Sequence, residues 1–248
     1  MIRAEVCADS IQSCIEAQQA GAYRIELCDN LVEGGITPSL SKIILARLAV
    51  DIKLNAIIRP RGGDFCYTDI EFEAMKFDIH HCGKNGCNGV ALGILNSDGS
   101  IDKIRNKILI DLAHQYNMNV TFHRAFDRSA NLFQALEDII GLGCDRILTS
   151  GGEKTAPEGM EIIKSLINQS DNRIIIIPGS GITPGNIAKL VKSTGLKEFH
   201  GTFRKRISGR MEYFNEKIGF FNEEYTILQT DSKAVSQAIR NANNAYLS

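Results

Sequence analysis

The sequence predicts an α/β fold, a single-domain eight-stranded parallel (β/α)8 or TIM barrel with a C-terminal extension, and three observations predict it. Eight short apolar runs of strand character alternate with longer segments of helical periodicity. Cap and stop residues punctuate the junctions, as at Asp9-Ser10 and Gly21. Parallel strands need crossover helices, and eight such units close on themselves. The rival open, doubly wound sheet would carry a glycine-rich fingerprint after its first strand. Cys7-Ala8-Asp9-Ser10 offers none, so no nucleotide cofactor is expected.

Taken in order, residues 2–7 form the first strand, and Ile11, Cys14 and Ile15 give the next helix its inward face. Residues 23–28 are the second strand. After Gly34-Gly35, Thr37 is expected to cap a helix that starts at Pro38 and runs to about Leu48. Residues 53–58 are the third strand, followed by the charged, glycine-rich loop Arg59-Pro60-Arg61-Gly62-Gly63-Asp64-Phe65 and a helix over 69–82. Residues 89–95 are the fourth, with a helix over 102–116. The fifth, 119–123, ends in His123-Arg124-Ala125-Phe126-Asp127, and Leu132, Leu136, Ile139 and Ile140 mark the apolar stripe of the helix behind it. Residues 146–150 are the sixth, with a helix over 157–167. Residues 173–177 are the seventh, ending in Pro178-Gly179-Ser180-Gly181, with Thr183 as the expected cap and Pro184 as the first helical residue. Residues 198–203 are the eighth. The barrel is assigned to 1–203, and 204–248 to an extension whose final helix, about 232–245, closes or covers it.

The 248 residues carry a formal net charge of −1, with 44% hydrophobic and 23% charged side chains, a balance with room for a large core and no general affinity for nucleic acid. No apolar run reaches membrane-spanning length and no secretory leader is recognisable, so a cytoplasmic protein without a membrane partner is expected. The seven cysteines are scattered without repeated spacing and read as free thiols.

Outward strand faces must be apolar to pack on helices, so parity assigns the inward faces. Glu5 and Cys7, then Arg24, Glu26 and Cys28, then Thr121 and His123, then Glu198 and His200 point inward. The sixth strand is ambiguous: either Ile147 and Thr149 or Leu148 and Ser150 face in. Carboxylates and histidines inside a barrel require mutual pairing or a ligand, with Arg24 or Arg59 as the compensating charge.

The blocks Glu5-Val6-Cys7, Arg24-Ile25-Glu26-Leu27-Cys28, Gly34-Gly35-Ile36-Thr37-Pro38-Ser39, Arg59 to Phe65, Thr121 to Asp127, Leu148-Thr149-Ser150-Gly151 and Pro178 to Gly181 together closely resemble the CutC family of copper homeostasis proteins. The resemblance runs from about Ile2 to His200. It implies a cytoplasmic barrel protein linked to copper tolerance or trafficking, but supplies no ligand motif. Gly201-Thr202 keeps a hydroxyl where the family pattern has serine.

Two functions stand side by side. Cu(I) favours thiolates, and Cys7 and Cys28, on adjacent strands near their C-terminal ends, could share one copper ion. Alternatively, the strand-end residues form an enzyme site for a small anion bearing phosphate or carboxylate, since barrel active sites occupy that face. Glu26, Arg59, His123 and Asp127 would be its catalytic residues, with His123 as general acid or base and Asp127 or a glutamate fixing its tautomer. Arg61 and the backbone of Gly179, Ser180, Gly181, Gly201 and Thr202 would hold the anion. A homo-oligomer is compatible with either.

Overall fold

The computed structural model describes residues 1–215, 217 and 225–247. The chain runs β1 (Arg3–Ala8), α1 (Ile11–Gln19), β2 (Arg24–Leu27), α2 (Leu40–Ala49), β3 (Lys53–Ile57), α3 (Asp69–Lys84), β4 (Gly89–Leu92) and α4 (Lys103–Gln115). It continues through β5 (Asn119–Phe122), α5 (Leu132–Leu142), β6 (Arg146–Thr149), α6 (Met160–Ser170), β7 (Ile175–Pro178), α7 (Ile187–Thr194) and β8 (Glu198–Gly201). Then come β9 (Arg204–Ser208), β10 (Thr226–Thr230) and α8 (Ser232–Leu247). Strands β1 to β8 are parallel in the order β7-β6-β5-β4-β3-β2-β1-β8, and β8 also lies against β7, so the sheet curls into a nearly closed TIM barrel.

The apolar strand residues Val6, Ile25, Leu27, Leu54, Val90, Phe122, Ile147 and Phe199 are all buried in the layer between sheet and helices. The eighth helix of the ring, α8, packs against α7 and α1, and Ile2 N donates to Asn243 Oδ1 at 2.9 Å. Before it, β9 and β10 form an antiparallel hairpin that leans on α1 and that the sequence reading passed over. Of the extension assigned to 204–248, residues 216, 218–224 and 248 lie outside the described residues.

Several boundaries differ from expectation for local reasons. Helix α2 is capped by Ser39, which accepts from Lys42 N, while the Thr37 hydroxyl accepts from Arg59 N at 3.0 Å and so ties two loops together. Strand β4 stops at Leu92 because the side chain of Asn106 takes both backbone groups of Ile94, accepting at 3.1 Å and donating at 2.8 Å. Helix α7 starts at Ile187 and not at Pro184: the Asn186 side chain accepts from Thr183 N and closes a separate turn first. Strand β8 ends at Gly201, and Phe203 adopts a left-handed φ of 47°.

Candidate functional site

Register places the inward charges in layers. Glu5 lies beside Arg24 and His200, and Cys7 lies beside Glu26. In the deeper layer Arg24 Nε bonds Glu5, Arg24 Nη2 donates to Glu198 at 2.5 Å, and Arg146 Nε donates to Glu198 at 3.2 Å. All four side chains are buried. Burial opposes ionisation of Glu5, but Arg24 and then His200 outweigh it and hold the carboxyl far below its ordinary range. Burial likewise works against the charge of Arg24, and Glu5 and Glu198 more than restore it. The reach of Arg146 to Glu198 settles the parity of β6: Arg146 and Leu148 point inward, and Leu148 lines the cavity described next.

Above this layer, at the C-terminal ends of the strands, the barrel opens into a cavity of about 730 Å³. Cys7, Glu26, His123 and His200 line it from four strands or strand ends. A second hollow, about 60 Å³ beside Ile174, Ile175 and Leu196 at the other end of the barrel, has Lys197 as its single charged lining residue and is too small for an organic ligand.

The two thiols singled out in the sequence meet: Cys7 Sγ and Cys28 Sγ are 3.6 Å apart, both buried, and Cys28 Sγ also approaches Ala8 O. The hydrogen bond with Cys28, then burial, pushes the Cys7 thiol far above its ordinary value. A donor atom of Cys7, a carboxylate oxygen of Glu26 and a ring nitrogen of His200 lie within 4.8 Å of one another, a spacing that could hold a metal ion. His200 bridges the layers. Its Nδ1 is 2.8 Å from Glu5 Oε1 and its Nε2 3.9 Å from Glu26 Oε2. Burial disfavours an imidazolium there, yet Glu26 and Glu5 raise the pKa of His200 above its ordinary value. Burial also raises the Glu26 carboxyl, against the pull of His200, and its Oε1 accepts no hydrogen bond. The sequence reading put Glu26 among catalytic groups and left His200 without a role. Their adjacency to Cys7 depends on the stagger of β1, β2 and β8, which residue spacing does not carry.

His123 follows β5 and is 3% exposed. Its Nδ1 accepts from Ala125 N at 3.2 Å, so the ring proton sits on Nε2, where no protein atom accepts it. One face packs on Phe65, with ring centroids 5.1 Å apart. On another side a Cβ on residue 93 would stand 2.9 Å from Nδ1, so Gly93 makes room for the imidazole. Burial, reinforced by the Arg59 charge, pushes the pKa of His123 down to about 3, and the ring is neutral at physiological pH.

The other expected site residues are engaged elsewhere. Asp127 does not touch His123. It accepts from Thr149 Oγ1 at 2.5 Å, from Ser150 N and Gly152 N at 3.0 Å, and from Arg124 Nε at 2.8 Å, bracing the loops after β5 and β6. Arg59 lines the cavity, but its guanidinium donates to the carbonyls of Glu33, Gly35 and Gly63. Arg61 is turned away to Asp64 and Glu71 and lines no part of the cavity. Ser180, Gly181, Gly201 and Thr202 line it. Gly179 sits behind, where a Cβ would come 2.6 Å from Leu148 Cδ1. Ser180 holds a φ of 78° and donates its hydroxyl to Lys154 O. The cavity also gathers Arg124, Arg128 and Arg204. The same strand-end rule that picked His123 would have found the first two.

All seven cysteines are free, and among the described residues no helix is long and apolar enough to cross a membrane. The profile of the CutC family matches residues 2–205. A CutC family protein of Chromobacterium violaceum is 46% identical over 241 residues, 96% of each chain, and one of Parabacteroides distasonis is 45% identical over 95% of this chain and 98% of its own. The crystal structure of a protein described as a copper homeostasis protein CutC, from Streptococcus agalactiae, superposes with a TM-score of 0.77 at 34% identity, over 82% of this chain and 99% of that one. Phosphoribosylanthranilate isomerase from Thermotoga maritima, at 12% identity and a TM-score of 0.59 over 98% of this chain and 100% of that one, shares the barrel alone. From strand order, sequence blocks and relatives together, the chain belongs to the CutC family.

Proposed function

We propose that the protein binds copper as Cu(I), with Cys7 and Cys28 as its donors, and that it serves copper handling in the cytoplasm. The observation that carries this reading is the pair of buried thiols 3.6 Å apart at the edge of the cavity. Cu(I) is soft and prefers thiolates to any oxygen the barrel offers. His200 offers a further donor of suitable character, a ring nitrogen within 4.8 Å of the Cys7 donor, while the Glu26 carboxylate is a hard ligand better suited to balancing charge. The relative from Streptococcus agalactiae is described as a copper homeostasis protein, and a site made of free thiols belongs in a reducing compartment. Because the Cys7 thiol is pushed up, the metal must displace protons, and uptake tightens as pH rises.

Competition against a Cu(I)-specific chelator under reducing conditions tests the reading. Wild type is expected to retain Cu(I) at chelator concentrations that strip both Cys7→Ser and Cys28→Ser. Equal retention by all three proteins excludes this pair as the donor set.

A further inference from the structure

Copper on the two thiols leaves the loop after β5 unexplained. That single loop delivers His123, Arg124 and Arg128 to the cavity wall. Native proteins leave few buried donors without an acceptor, yet His123 Nε2–H is one, and it belongs to a residue lining the cavity of about 730 Å³. The surrounding charge is also incomplete. Among the described residues no carboxylate forms an ion pair with Arg59 or Arg128, while Arg124 pairs with Asp127. Glu26 and Glu33, the carboxylates lining the cavity, pair with none of the three guanidiniums. Of the three guanidiniums only that of Arg59 is buried, with Arg124 half-buried and Arg128 exposed, and a guanidinium near a neutral N–H donor is a good receptor for a carboxylate or phosphate.

We propose that the cavity binds a small organic oxyanion, a carboxylate or a phosphate, with one oxygen accepting from His123 Nε2–H and the negative charge held by Arg128 and Arg124. The site differs from the one expected from sequence, because Arg61 points away and the Arg59 guanidinium is already bonded to three carbonyls. Arg59 acts instead as a fixed positive charge near the imidazole, its guanidinium carbon 5.0 Å from the centre of the Phe65 ring that also packs on His123. Burial of the ring, reinforced by that charge, keeps His123 neutral, so the ring serves as a hydrogen-bond donor and not as a cation. The copper donors take no part, and loss of copper binding in Cys28→Ser bears on that reading alone.

Calorimetric titration of the full chain with inorganic phosphate and with malonate tests the site, the two probes distinguishing its phosphate and carboxylate forms. Binding of either in the millimolar range or tighter is expected. Arg128→Ala is expected to weaken it at least about tenfold, and salt to weaken it further, since one charge contact is lost. Arg128 is exposed, so this variant should fold normally. His123→Phe should weaken binding similarly while His123→Gln, which keeps an N–H donor, restores part of it. Affinity should not rise between about pH 7.5 and about pH 5.5, where the probes themselves take up protons and lose charge, whereas an imidazolium would tighten it through its ordinary pKa of about 6.5. No heat from either probe, binding indifferent to Arg128→Ala, or a rise in affinity across that pH range would overturn the proposal.

Discussion

The two layers of the barrel interior use the same residue types to opposite ends. In the deeper one, Glu5, Arg24, Glu198 and Arg146 close on each other through four strands, and each carboxylate has at least one guanidinium. One residue pair further along the same strands, Cys7, Glu26 and His200 face a cavity, and there Glu26 meets a histidine at 3.9 Å and no arginine within ion-pair distance. Buried charge alone therefore does not mark a site. Spare hydrogen-bonding capacity does not mark it either, since Arg24 Nη1 and Arg146 Nη1 of the deeper layer also lack hydrogen-bond partners; what marks it is such capacity next to open volume.

Removing Arg24 should cost the most stability. Arg24→Leu strands Glu5 and Glu198 without their principal cation, and a loss of about 3 to 5 kcal/mol is expected from the denaturant midpoint. A midpoint near that of wild type would mean the deeper layer is as loosely paired as the upper one.

A smaller effect separates the layers by pH. The folded pKa of His123 lies near 3, below its unfolded value of about 6.5, so the unfolded chain binds the extra proton first and stability falls as pH drops through that interval. Between pH 7 and pH 5 the loss is about 2 kcal/mol, and His123→Phe should abolish that part of the slope. Glu5, whose folded pKa is depressed, contributes stability that is present above its unfolded value of about 4.5 and is lost only below it, as pH falls toward the folded pKa. Urea titrations of wild type and His123→Phe at pH 7, 5 and 4 resolve the two windows, and parallel curves would refute the assignment.

The smallest effect is expected at Glu26. Because its Oε1 lacks a partner and burial already favours the uncharged form, Glu26→Gln should cost about 1 kcal/mol or less, in contrast to Arg24→Leu. A loss comparable to that of Arg24→Leu would place Glu26 in the structural network.

The layered interior is largely legible in the sequence. Strand parity turns Glu5, Arg24, Glu26, His123, Glu198 and His200 inward because an outward face must be apolar, and all six are buried. The partnerships were not legible. Asp127 lies four residues from His123 yet bonds across to Thr149 and Ser150, since the backbone after β5 turns it toward the neighbouring loop. Arg59 and Arg61 look interchangeable in a charged, glycine-rich loop, but one is drawn inward by three carbonyls and the other outward by Glu71. The helix start at Ile187 depends on Asn186 folding back to Thr183, a choice that the favourable Thr-Pro pair concealed. The hairpin of β9 and β10 could have been suspected from the β-branched residues Thr226, Ile227 and Thr230, but its pairing spans a long connection that residue patterning does not see.

The absent side chain at residue 93 has a consequence for entropy. With Nδ1 tied to Ala125 N, Phe65 on one face and no room for even a methyl group at position 93, the His123 imidazole has a single orientation available. Its rotamer freedom is surrendered when the barrel folds and not when something enters the cavity, so an arriving molecule meets a donor already aimed and owes nothing for ordering it.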